Sequence, residues 1–236
     1  MINILILMAG AGSRFLNSEY DLPKPLIKIN NKPMIQAVVE NLAIDGKYIY
    51  VVQKEHYKKY NLKKILNKIT YKCNIVQTEQ LTEGAACSAL LAKDFINNKT
   101  PLLISNCDEI LEWNSNDFIN QLKSKNADGG IATFKASGNK WSYVKTGKNG
   151  IIVKVAEKEE ISDDATVGVY YWKHGSDFVK YAEKMIKKNI RVNNEFYVSP
   201  VYNEAIVDNK IIYSIPVNNM WGIGTPEDLI IYLSSI

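Results

Sequence analysis

A short apolar run, Ile2 to Met8, breaks off into Ala9-Gly10-Ala11-Gly12-Ser13-Arg14. No other junction in the chain constrains the fold as much. A continuous apolar run of this length reads as a strand buried on both faces, and such strands belong to parallel sheets covered by helices on both sides. It lacks a basic flank and is far short of the roughly 18 apolar residues a membrane span requires. Similar runs return at Tyr48–Gln53, Asn74–Gln77 and Leu102–Ser105. Between and after them lie helical patterns at Pro33–Leu42, Leu62–Asn67, Glu83–Phe95 and Asp117–Ser124. Pro33 is expected in the first helical turn, where its missing N–H has no helical partner. This βα alternation predicts a mostly parallel sheet with helices on both faces.

After Asp128 the rhythm changes. Gly130–Lys135, Tyr143–Thr146, Ile151–Val155, Val167–Trp172 and Ile211–Pro216 read as strands, and Lys148-Asn149-Gly150 supplies a hairpin turn. Helices are expected at Asp177–Lys188, Val198–Ala205 and Thr225–Leu233, the last with Thr225 as N-cap and Pro226 at its first position. Neither a repeat nor a linker interrupts the pattern. The expected architecture is a single α/β domain with a mixed, mostly parallel central sheet flanked by helices.

Charge matters mainly for where it sits. The chain has 29 Lys+Arg against 25 Asp+Glu, a net +4, yet its only arginines are Arg14 and Arg191. Nucleic-acid binders cluster positive charge and favour arginine, so the scattered lysines read as solvated surface. Cys73, Cys87 and Cys107 show no metal-ligand spacing and fit a reducing cytoplasm. In the loop after the first strand, Gly10 and Gly12 let backbone N–H groups approach a phosphate chain. Ser13 adds a hydroxyl and Arg14 a planar fork for phosphate oxygens. A tight turn with a solvated arginine would explain the same residues, and the loop is neither a Walker A nor a GxGxxG motif. Leu22-Pro23-Lys24-Pro25-Leu26 tips the balance. Prolines on both sides restrict the backbone at Lys24, and a fixed ammonium stabilises charge developing in phosphoryl transfer.

The order Ala-Gly-Ala-Gly-Ser-Arg-Phe, Pro-Lys-Pro-Leu, then Asn31-Lys32-Pro33-Met34-Ile35 resembles the nucleotidylyltransferase (NTP transferase) family. Trp221-Gly222-Ile223-Gly224-Thr225-Pro226-Glu227-Asp228-Leu229 resembles that family's closing motif. The resemblance implies a Rossmann-like domain related to GT-A glycosyltransferases. Residues 1–127 would form a nucleotide-binding half and 128–236 an acceptor-binding half. It implies that Met8, Ala9, Gly10, Ala11, Gly12, Ser13, Arg14 and Lys24 surround a triphosphate. Gln80, Gly84, Ala85 and Ser88 would hold base and ribose. Asp108, at the carboxyl end of a buried strand, would hold Mg²⁺, with Glu109 beside it as a further candidate. Arg14, Lys24 and Asp108 would carry the chemistry. Glu157, Lys158, Gly168 and Glu195 would meet a phosphorylated small-molecule acceptor, and Arg191 could contact an acidic one.

Two positions depart from the family pattern: no proline follows Lys158, and Gly222 stands where sugar-nucleotide enzymes commonly carry a second metal carboxylate. Those departures favour CTP as the donor, with UTP or dTTP and a sugar 1-phosphate as the alternative. A catalytically silent nucleotide-binding domain is the reading from another class. The resemblance further implies cytoplasmic supply of surface or capsule polysaccharide precursors, without nucleic-acid or membrane partners. It leaves a homo-oligomer open.

Overall fold

The computed structural model describes residues 1–16 and 20–235. Strands of the first half are β1 (Asn3–Leu7), β2 (Lys28–Ile29), β3 (Lys32–Pro33), β4 (Lys47–Gln53), β5 (Asn74–Thr78), β6 (Leu102–Asn106) and β7 (Glu109–Glu112). The second half supplies β8 (Gly129–Lys135), β9 (Ser142–Thr146), β10 (Ile152–Glu157), β11 (Asp164–Trp172), β12 (Ile212–Pro216) and β13 (Asn219–Gly222). Among the described residues, nine strands form one mixed sheet. Its first half is parallel, in the order β5-β4-β1-β6. Antiparallel β11 then joins β6 and carries β8 on one branch and β9 on another; β12 runs parallel to β8 and β10 antiparallel to β9.

Alternation along each central strand explains why both faces need cover. Ile4, Ile6 and Met8 enter one apolar layer with Tyr48, Tyr50 and Val52, while Leu5, Ala9, Ile49 and Val51 enter the other. Helices Met34–Leu42, Leu62–Ile69 and Ser115–Ser124 cover the first layer through Ile35, Val38, Leu66, Phe118 and Leu122. Helices Ala85–Leu90, Gly175–Lys187 and Val201–Val207 cover the second through Ala86, Ala89, Phe178, Tyr181 and Tyr202. The architecture is therefore the single mixed α/β domain expected. Among the described residues no helix is long and apolar enough to cross a membrane.

Three elements differ from expectation. Pro33 precedes its helix rather than opening it: Asn30 and Asn31, at φ +48° and +67°, turn the chain into the β2–β3 ribbon, and the helix begins at Met34. The helix expected over Glu83–Phe95 divides into Ala85–Leu90 and Lys93–Ile96. Leu91 N–H and Ala92 N–H donate to carbonyls three residues back, at 3.2 and 3.1 Å, which tightens and ends the first helix. Finally, β7 and β13 form an antiparallel ribbon outside the main sheet, pairing Glu109 with Gly222 and Leu111 with Met220. Thr225 caps the closing helix as expected, its Oγ1 accepting from Asp228 N–H at 3.1 Å.

Candidate active site

The carboxyl ends of β1 and β6 open into a cleft with two lobes of about 450 and 340 Å³. Gly10, Lys24, Ala85, Asn106, Asp108, Glu195 and Tyr197 line both, so they mark the junction.

The smaller lobe is walled chiefly by main chain and small side chains: Met8, Ala9, Gly10, Ala11, Gly84, Ala85 and Ser88. Gly84 is required there. It sits at φ +122°, and a Cβ would stand 2.5 Å from the Phe196 carbonyl oxygen. The close approach is sealed by Phe196 N–H donating to Glu83 O at 2.8 Å and Ala86 N–H donating to Phe196 O at 2.9 Å. The Ser88 hydroxyl lies 2.6 Å from that of Thr82, which donates to Gly84 O at 2.9 Å. Ser88 thus steadies the lobe's rim. Arg14 lines the larger lobe. Gly12 lines a separate cavity on the outer side of the loop. Ser13 opens the short helix Ser13–Leu16 and lines neither lobe. Gln80 also lies outside both lobes, exposed, its carbonyl accepting from Thr78 Oγ1 at 2.5 Å.

Lys24 lies in a 3₁₀ turn, Lys24–Leu26, between its two prolines. Its Nζ donates to Asp108 Oδ2 at 2.7 Å. Burial opposes the ammonium charge, but Asp108, backed by Cys107 and Glu109, outweighs it and raises the Lys24 pKa above the ordinary lysine value. The Asp108 main chain is fixed from the far end of the sequence, through Ile223 N–H donating to Asp108 O at 2.8 Å. Gly224 presses on the same residue: a Cβ there would stand 2.2 Å from Asp108 Oδ2.

Glu109 lines the larger lobe beside Asp108. Burial first, then the Asp108 charge, push its carboxyl well above the ordinary range. Its Oε1 accepts from Asn106 Nδ2 at 2.9 Å. Asn106 and Glu109 form the floor beside Asp108. Gly168, at φ +74° in the irregular part of β11, lies over this floor. A Cβ there would meet Asn106 Nδ2 at 2.6 Å and Glu109 Oε1 at 2.9 Å. Behind them the Cys107 thiol is fully buried, which pushes its pKa up to about 12.

The larger lobe is built from side chains. Glu157 Oε2 accepts from both Ser142 and Ser199, the latter at 3.0 Å, and burial raises its pKa. Lys158 holds φ +56°, a conformation uncommon for a side-chain-bearing residue. Its N–H donates to Trp141 O at 2.9 Å, and its Nζ donates to Tyr197 Oη at 2.7 Å. Lys140, Trp141, Thr166, Tyr170, Glu195 and Asp228 complete the wall. Of the residues named from sequence, Glu157, Lys158, Gly168 and Glu195 are brought together here. Arg191 is not: it pairs with Glu83, donates to Asn194 O at 3.1 Å and lies 4.0 Å from the Phe196 ring centroid. Its correct reading is a clamp between the Glu83–Gly84 turn and the segment carrying Glu195 and Tyr197. Sequence reasoning missed Ser142, Ser199, Trp141 and Lys140, which carry no shared spacing, and gave no site role to Asp228 of the closing motif.

Among the described residues no three His, Cys, Asp or Glu side chains cluster as a metal site. Mg²⁺ bound to a triphosphate asks less of the protein: one or two carboxylates, with phosphates and waters completing the shell. Asp108 meets that demand, and Asp228 is a second carboxylate on the same cleft. Crowding does not explain Gly222, since a Cβ there would make ordinary contacts, 3.7 Å to Trp141 and 3.9 Å to Asp228 Oδ2.

A glycine-lined lobe meeting a side-chain lobe at a clamped lysine–aspartate pair lies where open α/β sheets bind their ligands. The sequence matches the model of the family described as nucleotidyl transferase over residues 3–234, and the chain belongs to that family. It is 28% identical over 251 residues to a mannose-1-phosphate guanyltransferase of Schizosaccharomyces pombe. That alignment covers 98% of this chain and 64% of the relative, so the chain spans less than two thirds of that protein. The fold superposes with TM-score 0.83 on a nucleoside-diphosphate-sugar pyrophosphorylase from Vibrio cholerae RC9, at 21% identity, covering 98% of this chain and 99% of that one. It superposes with TM-score 0.75 on the inositol-1-phosphate CTP transferase from T. maritima, at 18% identity, covering 100% and 95%.

Proposed function

We propose that the protein transfers a nucleoside monophosphate from a nucleoside triphosphate to a phosphorylated small molecule, releasing pyrophosphate. The observation that carries this reading is the Lys24–Asp108 pair at the junction of the two lobes. An oxygen of the acceptor phosphate attacks the α-phosphorus. The bond from that phosphorus to the bridging oxygen of pyrophosphate breaks in line, so no covalent intermediate with the protein is needed.

The residues divide the work. The N–H groups of the glycine loop and Arg14 bind the β- and γ-phosphates. Lys24 stabilises the charge on the α-phosphoryl group. Asp108 would hold Mg²⁺, which supplies charge neutralisation across the phosphate oxygens when bound. Lys158 exchanges its Tyr197 partner for the acceptor phosphate. Glu157 accepts a hydroxyl or amine proton of the acceptor through Oε1, its Oε2 being taken by the serines.

CTP is the donor favoured by the departures at Gly222 and after Lys158. UTP or dTTP with a sugar 1-phosphate is the second reading, which solved neighbours named UDP-glucose pyrophosphorylase and putative glucose-1-phosphate thymidylyltransferase support at least as well. The product would be an activated precursor for surface polysaccharide made in the cytoplasm. Mg²⁺-dependent pyrophosphate release, screened over CTP, UTP, dTTP, GTP and ATP against sugar 1-phosphates and other phosphate monoesters, tests the reading. Release with one donor–acceptor pair supports it. Nucleotide binding without release from any pair favours a silent domain instead.

A further inference from the structure

Gln53 ends β4, one strand away from the glycine loop. It lines neither lobe of the cleft, but it does line the separate cavity on the outer side of the loop. Its Nε2 donates to two consecutive loop carbonyls, Gly10 O at 2.9 Å and Ala9 O at 3.2 Å. Two acceptors facing one nitrogen use both hydrogens of a side-chain amide. The described peptides are all trans, so each carbonyl points opposite to the N–H of the next residue. Pulling Ala9 O and Gly10 O outward therefore turns Gly10 N–H and Ala11 N–H inward. Among the described residues neither N–H has a partner within the protein. Small residues alone would not keep this arrangement, since peptides beside glycine rotate readily. A flipped peptide would present a carbonyl oxygen to the cleft and repel an anion.

We infer that Gln53 is a positioning residue for the triphosphate, holding two loop donors in their binding orientation without touching substrate. The inference rests on the function proposed above. Its test compares the full-length wild type with Gln53→Met, which keeps the length but loses both donors, and Gln53→Glu, which sets a carboxylate against two carbonyls. Calorimetry with a nucleoside triphosphate and Mg²⁺, without acceptor, gives the affinity. Steady-state rates give both KM values and kcat, and melting temperatures report folding.

The expected loss of nucleotide affinity is about tenfold for Gln53→Met, the scale of one or two net hydrogen bonds, and larger for Gln53→Glu. The acceptor KM and kcat at saturation should change less than about threefold, as expected when binding of one substrate is weakened equally in the ground and transition states. Unchanged nucleotide affinity in both variants would overturn the inference. So would an equal rise of both KM values together with a large fall in melting temperature, the signature of general damage. A wild type that binds no nucleoside triphosphate would instead overturn the functional reading beneath it.

Discussion

The two lobes are built by different means. The smaller is built from backbone: a glycine loop turned by Gln53, a glycine at φ +122° and small side chains at a helix start. The larger is built from side chains that reach in from β9, β10, the loop before the Val201–Val207 helix and the start of the closing helix. Phosphate chains and ribose are common to all donors, and N–H groups suit them whatever the neighbouring side chains. An acceptor varies, and only side chains can discriminate it. The lobes should therefore respond differently to substitution.

The largest effect belongs to the shared junction. Lys24→Ala and Asp108→Ala should each lower kcat by about 10²-fold or more, the scale of losing a preorganised transition-state donor; pyrophosphate release at saturating substrates measures it. Retention of most activity by either variant would detach the pair from the chemistry. Next, Gly84→Ala tests the backbone-built lobe. The added methyl must displace Phe196 main chain, so nucleotide affinity should fall by more than about tenfold, with a destabilisation of about 2 kcal/mol or more. Calorimetry and thermal melts read both.

Lys158→Gly tests the other lobe. It should raise the acceptor KM about tenfold, as one charge-assisted contact is lost, while leaving nucleotide affinity unchanged. Because it relieves a left-handed backbone, it should also raise stability by about 1 kcal/mol. A variant less stable than wild type would contradict the strain assigned to that residue. The smallest effect is expected at Glu109. Its folded-state pKa is raised, so its contribution to stability is complete below the ordinary carboxylate pKa and is lost as pH rises through the folded value. Glu109→Gln mimics the neutral acid. It should match wild type in acid and gain on it in Tm as pH rises. Identical pH profiles would show that the carboxyl is ionised.

The same division decided what the sequence revealed. β1, β4 and β6 are buried on both faces and announce themselves as apolar runs. The glycine loop and the proline-flanked Lys24 are contiguous, so their spacing is written locally. Ser142, Glu157 and Ser199 meet only because the antiparallel half folds back on itself. No interval in the sequence encodes that meeting. Arg191 drew notice as one of two arginines, yet Glu83 and Phe196 account for it. β7 and β13 are four residues each, too short for alternation to stand out. Gln53 closes an otherwise ordinary strand, and nothing in its neighbours points to the loop 43 residues earlier.

The ribbon of β7 and β13 has a consequence for synthesis. Asp108 and Glu109 leave the ribosome well before Ile223, Gly224 and the strand paired with β7. Domains form vectorially only as far as their long-range contacts permit. A nascent chain can therefore assemble its parallel strands and glycine loop while the floor of the reaction centre still lacks one side. Nucleotide affinity should appear on stalled chains before catalytic competence does, and emergence of β13 would complete the site.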